Sequence, residues 1–185
     1  MRLHVGVAAL SVLVGCSSSG GGSSAISRDA QAEAIATAFA AENISDPTSL
    51  PNKGSATYAG FMTLGLPIDG DTTDRVGDLN LTVDFGAARN QVTGSVNNID
   101  GLGGALAIRG GDIDRETNPK DDYTFGGRVT GDLTRTGDTF AINATIAGEF
   151  RGRNQDGVTG LVYGNIDGQD GQDLFDGTFA ATRGD

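Results

Sequence analysis

Apolar and polar residues alternate along most of the chain after residue 55, a pattern that predicts β-strands with one buried and one exposed face. In 79–85 (LNLTVDF) four apolar residues alternate with Asn, Thr and Asp, and 125–134 (FGGRVTGDLT) and 140–150 (FAINATIAGEF) follow the same rule. Runs rich in Gly, Asn, Asp and Arg separate these segments and predict turns. The pattern predicts eight strands, over 56–65, 77–85, 91–98, 104–111, 123–134, 138–150, 157–166 and 176–183.

Glycines on the apolar face favour closure of these strands into a barrel, because they let a sheet coil tightly and closure removes aggregation-prone edges. The inward glycines are Gly94, Gly127, Gly131, Gly148, Gly160 and Gly164. Val-Thr-Gly recurs at 92–94, 129–131 and 158–160, and its unequal spacing is not that of a solenoid or propeller. The outward faces carry Asp, Asn, Thr and Arg, and the chain has no Trp, so no lipid-facing belt is predicted. We therefore expect an all-β fold, a soluble eight-stranded antiparallel β-barrel over 54–185.

One short α-helix is predicted ahead of the barrel, over 27–46. Residues 30–42 (AQAEAIATAFAAE) are dominated by alanine, Ser27 is a suitable N-cap, and an Asp-Pro pair ends the segment. Ile35 and Phe39 are four residues apart and form a thin apolar stripe. Two placements fit such a stripe: the helix rests on the side of the domain, or it plugs the mouth of the barrel.

The N-terminus has the pattern of a bacterial lipoprotein signal peptide. Arg2 supplies a positive charge, and 5–14 (VGVAALSVLV) is an apolar run half as long as the ~20 residues that span a bilayer. The run ends in Leu-Val-Gly-Cys, which is similar to the lipobox whose cysteine is acylated and becomes the new N-terminus. We expect a signal peptide over 1–15, lipidation of Cys16 with acyl chains such as palmitate, and a flexible linker over 16–26. By resemblance to the lipoprotein sorting rule of enteric bacteria, Ser17 after the cysteine implies the outer membrane.

The composition limits the kinds of binding and active site that the expected mature chain can form. With 24 acidic and 13 basic residues, a net charge of −11 excludes a nucleic-acid-binding protein, because the carboxylates repel phosphate. The one histidine, His4, lies in the signal peptide and the one cysteine is the lipidation site, so no Ser–His–Asp triad, His-ligated zinc or haem, or internal disulfide is expected. A paired-carboxylate hydrolase would need groups such as Glu149, Asp121 or Asp122, which we interpret as solvated surface charges. We expect no enzyme activity and no cofactor.

Two other groups of residues leave alternatives open. Oxygen donors alternate along 165–173 (NIDGQDGQD), and 67–74 (PIDGDTTD) is a weaker version; both fit either a solvated hairpin tip or a weak cation site that lacks the distal Glu of an EF-hand. Tyr58, Tyr123 and Tyr163 fit either amphipathic barrel residues with hydroxyls at the rim, or haem ligands or pocket-lining residues. No metal site is assigned from the sequence.

Several short motifs recur in the order found in one family of bacterial surface lipoproteins. They lie at 50–60, 79–86, 92–94, 146–152, 160–164 and 177–180. In this order they resemble the strand–turn–strand units and closing hairpin of the transferrin-binding protein B barrel family, over roughly the last 130 residues. The chain departs from that family in a longer acidic connection over 165–176, and it has room for one barrel where full receptors have two lobes. The resemblance implies a tethered binding module, but it identifies neither transferrin as the partner nor any contact residue.

Together these patterns predict a lipid-anchored outer-membrane lipoprotein whose barrel binds a protein partner without catalysis, in nutrient or iron acquisition as the resemblance implies. Two alternatives stay open. An eight-stranded barrel is just wide enough to hold one small ligand, so a solute carrier that uses the lumen also fits. The lack of a chemical site in the sequence fits a structural envelope lipoprotein as well.

Overall fold

The computed structural model describes residues 26–68, 70–116 and 123–184. In these ranges the chain forms an α-helix, α1 (Arg28–Ala40), a 3₁₀ helix (Pro47–Ser49) and nine β-strands. The strands are β1 (Ser55–Ile68), β2 (Asp71–Asp84), β3 (Val92–Asn97), β4 (Gly103–Gly104), β5 (Leu106–Ile113), β6 (Phe125–Arg135), β7 (Asp138–Arg151), β8 (Gly157–Gly168) and β9 (Gly171–Arg183). The predicted all-β class, with one short helix ahead of the strands, is confirmed.

Eight of these strands close into an antiparallel barrel with up-and-down topology. The hydrogen-bonded order is β6-β5-β3-β2-β1-β9-β8-β7, and β7 pairs again with β6. Closure joins the first strand to the last, where β1 and β9 pair from Tyr58 opposite Arg183 to Gly65 opposite Asp176. The two-residue strand β4 only extends the pairing of β6. The eight-stranded antiparallel barrel predicted from the alternation is therefore confirmed.

The apolar residues of the alternating strands point into the barrel and fill it with one contiguous core. The ring of Phe150 lies 5.2, 5.7 and 6.1 Å, centroid to centroid, from the rings of Phe125, Phe85 and Tyr58. Burial of each large apolar side chain stabilises the fold by about 1.5–3 kcal/mol. The largest completely buried side chains are Tyr58, Phe125, Phe150, Met62, Leu64, Leu66, Leu79, Leu81, Leu106, Ile108, Leu133 and Ile146. The lumen is thus occupied by the protein's own side chains.

The inward glycines make room for this aromatic core. A Cβ atom at Gly148 would lie 2.5 Å from the ring of Phe125 and 2.6 Å from the ring of Phe179. Any side chain at position 148 would therefore displace an aromatic ring from a close-packed interior. The predicted glycines lie on the inward face of the barrel. Gly160 also leaves room for the ring of Phe179, whereas the atoms nearest to Gly94, Gly131 and Gly164 are backbone atoms of neighbouring segments.

Two hairpins are longer than the sequence predicts. Strands β1 and β2 stay paired up to Ile68 opposite Asp71, and β8 and β9 continue to the turn at 169–170. The sequence assigns most of 67–74 and 165–176 to loops because they are polar. That assignment is wrong, since the backbone hydrogen bonds of a ladder do not require apolar side chains.

The helix is shorter than the predicted 27–46. It begins after Ser27, whose hydroxyl accepts a hydrogen bond from a first-turn amide at 3.2 Å, as expected of an N-cap. It ends at Ala40 because the residues that follow pair with β7 instead, with Ile44 opposite Arg151. Neither α1 nor any other helix in the described ranges is long and apolar enough to cross a membrane.

Candidate functional site

Helix α1 crosses the outside of the barrel and does not plug its mouth. It contacts β9, β1, β8 and β2, and its less exposed positions are Arg28, Ala32, Ile35 and Phe39. Their spacing of four, three and four residues places them on one helical face. Phe39 is the buried residue of this face, and a Cβ atom at Gly157 on β8 would lie 2.2 Å from its ring. Of the two placements left open by the sequence, the helix adopts the one in which it rests on the domain.

The barrel wall beneath the helix is apolar on its outward face. Val76 on β2 and Ala180 on β9 point away from the lumen, yet only 3% and 4% of their surface is exposed. Phe61 on β1 also points outward and is half-buried. We call this part of the barrel, on β1, β2 and β9 around these three residues, the covered wall.

The N-terminal end of α1 is held by an arginine. Arg28 donates from Nη1 to Asp100 Oδ1 at 2.6 Å and from Nη2 to Asp78 Oδ1 at 3.0 Å. It also donates to the backbone carbonyl of Asn98. The arginine therefore joins the first turn of the helix to β2 and to the connection that follows β3.

The segment after α1 is held by backbone hydrogen bonds to the end of β7. The Ser45 amide donates to the Phe150 carbonyl at 2.8 Å, and the Gly152 amide donates to the Asn43 carbonyl at 3.0 Å. The Ser45 hydroxyl, which is buried, donates to the Gly152 carbonyl at 2.6 Å. The helix is thus fastened at both ends.

Between these fastenings, a groove of about 870 Å³ runs between α1 and the barrel. The alanines of the helix are too small to fill it. Its apolar lining includes Ala36, Ala40, Phe61, Val76, Leu161 and Ala180, and its carboxylates include Asp29, Glu33 and Asp74. We call this feature the helix groove.

An ion pair lies at one side of the helix groove. Arg151 Nη2 donates to Glu149 Oε2 at 2.8 Å, its Nε donates to Thr159 Oγ1 at 2.9 Å, and its Nη1 donates to the Glu42 carbonyl at 3.4 Å. The side chains of Glu149 and Arg151 are only 16% and 20% exposed. Glu149, a candidate carboxylate from the sequence, is therefore paired with a cation. Positions 121 and 122, the other candidates, lie outside the described residues.

Away from α1, the outward faces of β5 and β6 and the parts of β7, β8 and β9 that adjoin the β8–β9 hairpin carry no helix; we call this part the bare wall. It exposes two large apolar side chains, Tyr163 and Leu174, by 50% and 80%. Leu161, which is 41% exposed, lies where this wall borders the helix groove. A furrow of about 940 Å³ runs beside Tyr163 and Leu174. Arg109 and Arg128, which are opposite each other in the β5–β6 register, also line it.

The three tyrosines do not form one site. Tyr58 is buried in the core, where its hydroxyl donates to the Gln155 carbonyl at 3.0 Å. Burial raises the pKa of Tyr58 to about 12, while nearby Arg183 opposes and Asp156 adds to this shift. Tyr123 and Tyr163 instead line a groove on the outside of the barrel.

The acidic segments lie in two β-hairpins. Asp167 and Asp173 belong to the β8–β9 ladder, one on each strand. Across the described ranges, no three acidic, histidine or cysteine residues are grouped so that they could hold a metal ion. Residues 165–173 form the end of the β8–β9 hairpin, with the turn at 169–170. Cys16, the predicted lipidation site, lies outside the described residues.

The covered wall was missed by the sequence analysis, although a signal for it exists. The stretch 58–68 (YAGFMTLGLPI) is apolar on both alternating faces, which is typical of a strand that is covered on both sides. Phe61 is the large residue that breaks the alternation. The exposed apolar positions of the bare wall, such as Leu174, carry no comparable signal, because single surface leucines are common.

Comparisons with protein families and with curated proteins do not extend this description. No protein-family model matches the sequence, and no curated protein shows significant similarity to it. The function is therefore inferred from the surfaces of the barrel and from the sequence.

Proposed function

We propose that this protein is a lipid-anchored outer-membrane lipoprotein whose barrel is a non-enzymatic binding module for a protein partner. One observation carries the proposal: the barrel exposes Tyr163 and Leu174 on its bare wall, with Leu161 at the border of that wall, while its lumen is full. Exposed apolar side chains grouped among polar ones are typical of protein-binding surfaces. The binding surface is thus proposed to be the outside of the barrel.

The filled lumen favours this function over the alternative of a small-ligand carrier. Carriers of this size need an interior that leaves space for the ligand. Here Met62, Leu64, Val129 and Ile146 are completely buried in the same core as the aromatic rings. A ligand in the lumen would have to displace several of these side chains.

The anchor is proposed from the sequence. The apolar run over 5–14, the lipobox that ends at Cys16 and the Gly/Ser-rich linker over 16–26 together favour export and acylation. The resemblance of the barrel motifs to transferrin-binding protein B lipoproteins supports the same assignment and motivates a role in nutrient or iron acquisition. Several acyl chains, at about 0.8 kcal/mol for each buried CH₂, would make the attachment permanent.

Metabolic labelling tests the anchor. Cells that express the full chain are given an alkyne-tagged palmitate, and we expect the protein to carry the tag and to sediment with outer membranes. The Cys16→Ser variant is the control and should lose both properties. An unlabelled native chain would contradict the proposed anchor.

Site-specific photo-crosslinking in intact envelopes tests the binding surface. A photoreactive phenylalanine analogue replaces Leu174 on the bare wall or, as a control, Thr82, an exposed outward residue of β2. We expect a discrete protein adduct from position 174 and none from position 82. Failure to form an adduct at 163 and 174 would contradict the proposed function and favour a structural envelope protein.

A further inference from the structure

We infer that the helix groove binds a short basic amphipathic segment of a protein partner. This inference rests on the proposed binding function and specifies the chemistry of what is bound.

The floor of the groove offers an apolar surface that the helix leaves partly open. Phe61 is half-buried and Leu161 is 41% exposed, although both line the groove. Ala36, on the helix side, is exposed and has no side-chain bulk to cover them. The free volume of about 870 Å³ matches the few hundred to ~1,000 Å³ of typical ligand sites. Apolar side chains of a partner would gain burial here.

The rim of the groove is acidic and unpaired. Asp29, Glu33 and Asp74 are exposed, and no hydrogen bond or ion pair of their side chains is found among the described residues. The cation in the lining, Arg151, is already bonded to Glu149. A partner's lysines or arginines would therefore meet free carboxylates, and the net charge of −11 would attract such a segment over longer distances.

The chain's own linker does not have this chemistry. Residues 17–24 (SSSGGGSS) have neither apolar nor charged side chains, so they would gain nothing from the floor or the rim. The helix itself leaves the groove open, and Arg28 and Ser45 hold its two ends in this position. The open groove thus fits an occupant from another protein.

A peptide titration tests this inference. The full chain, in non-ionic detergent, is titrated against a fluorescent amphipathic peptide of about twelve lysine and leucine residues, and against a counterpart with glutamate in place of lysine. We expect binding of the lysine peptide only. If the glutamate peptide binds equally well, the inference is overturned.

Two double variants distinguish the effect of the rim carboxylates on binding from the effect of the net charge. Glu33→Gln with Asp74→Asn removes two rim carboxylates, and Asp167→Asn with Asp173→Asn removes two exposed carboxylates from the β8–β9 hairpin. Because the net charge of the two variants is equal, long-range attraction weakens equally in both. We expect the rim variant to bind the lysine peptide about fivefold to tenfold more weakly than the native chain, and the hairpin variant less than about twofold. Equal losses in both variants would overturn the inference.

A steric variant tests the floor without a change of charge. Ala36→Trp places an indole in the groove, whereas Ala34→Trp places one on an exposed part of the helix that does not line it. Binding should be lost in the first variant and retained in the second, with helix content checked by circular dichroism. Retained binding in Ala36→Trp would overturn the inference. Photo-crosslinks from position 174 would still form in that case, so the proposed function would stand without it.

Discussion

The covered wall and the bare wall belong to the same barrel, but their outward residues differ. Under α1, Phe61, Val76 and Ala180 replace the polar residues expected on the outside of a barrel. On the bare wall, polar residues such as Asn143 and Thr145 surround a few exposed apolar side chains. Whether the outward residues of a strand are apolar or polar therefore indicates whether another element covers that strand.

This difference suggests why the bare wall exposes apolar residues. On the covered wall, each buried outward residue is explained by the chain's own helix. Nothing in the described residues covers Tyr163 or Leu174. By analogy between the two walls, we interpret the bare wall as the place where another protein supplies the cover.

The helix is held less firmly than either wall. The strands of both walls belong to continuous hydrogen-bonded ladders, whereas α1 rests on one buried side chain, Phe39, and on fastenings at its two ends. Elements with few buried contacts open at lower free energy than the core. Substitutions on the covered side should therefore detach the helix before they unfold the barrel.

The largest effect is expected from Phe39→Ala. Loss of the ring leaves a cavity between the helix and Gly157. The free energy of helix docking should decrease by about 2–4 kcal/mol, close to the effect of large-to-small changes in cores. Hydrogen–deuterium exchange should show fast exchange in α1 and unchanged protection in β1 to β9. Tyr163→Ala, an aromatic deletion on the bare wall, is the matched control and should change stability by less than about 0.5 kcal/mol. Loss of protection throughout the barrel in Phe39→Ala would show that the helix is part of the core.

The second largest effect is expected at high pH, where ionisation of Tyr58 should lower the free energy of unfolding. Its pKa in the folded protein is about 12 against an ordinary value of 10.0, so folding favours the neutral phenol. The contribution is complete below pH 10 and should be lost as the pH rises from 10 through 12. Because Tyr58 bonds Gln155 in the loop that precedes β8, the first region to open should be the one to which the helix is fastened. Urea unfolding across this pH range measures how the free energy of unfolding decreases with pH. Tyr58→Phe should remove much of this decrease, and an unchanged pH dependence in the variant would contradict the assignment.

The sequence predicts the barrel well because closure and burial leave a strong local signal. The alternation in 79–85 and 140–150 identifies inward residues that the structure buries, such as Leu81 and Ile146. Ser27 is also identified correctly, since capping depends on neighbouring residues alone. These features are local or follow the period of one strand.

The surfaces could not be predicted in the same way, because they depend on which elements meet. Phe61 and Leu161 line one groove although they lie on strands far apart in sequence, and no local pattern joins them. The end of the helix was misplaced for the same reason: the pairing of Ile44 with Arg151 is a long-range contact. The candidate site is therefore a property of the closed barrel and not of any motif.

A smaller effect is expected at the N-terminal fastening of the helix. Arg28→Gln removes the bonds to Asp78 and Asp100, whose carboxylates are about two-fifths exposed. Because such pairs are partly solvated, the loss should be about 0.5–1 kcal/mol and should shrink in high salt. Exchange rates of α1 at low and high salt measure it. Arg109→Gln on the bare wall is the control. It removes one of two arginines that lie opposite each other in the β5–β6 register, so it should not destabilise the protein.

The smallest effect on stability should come from Leu174→Ser, although we expect this variant to weaken partner binding on the bare wall. Leu174 is 80% exposed, so its replacement should change the free energy of unfolding by less than about 0.5 kcal/mol. Val76→Ser makes a similar change on the covered wall, where the side chain is buried, and should cost about 1–3 kcal/mol. Chemical denaturation of both variants measures the difference, and a photoreactive group at position 163 reports the yield of the partner adduct. Leu174→Ser should lower that yield while stability is unchanged. If the yield stays the same, the exposed leucine is an ordinary surface residue, and the analogy between the two walls fails at this position.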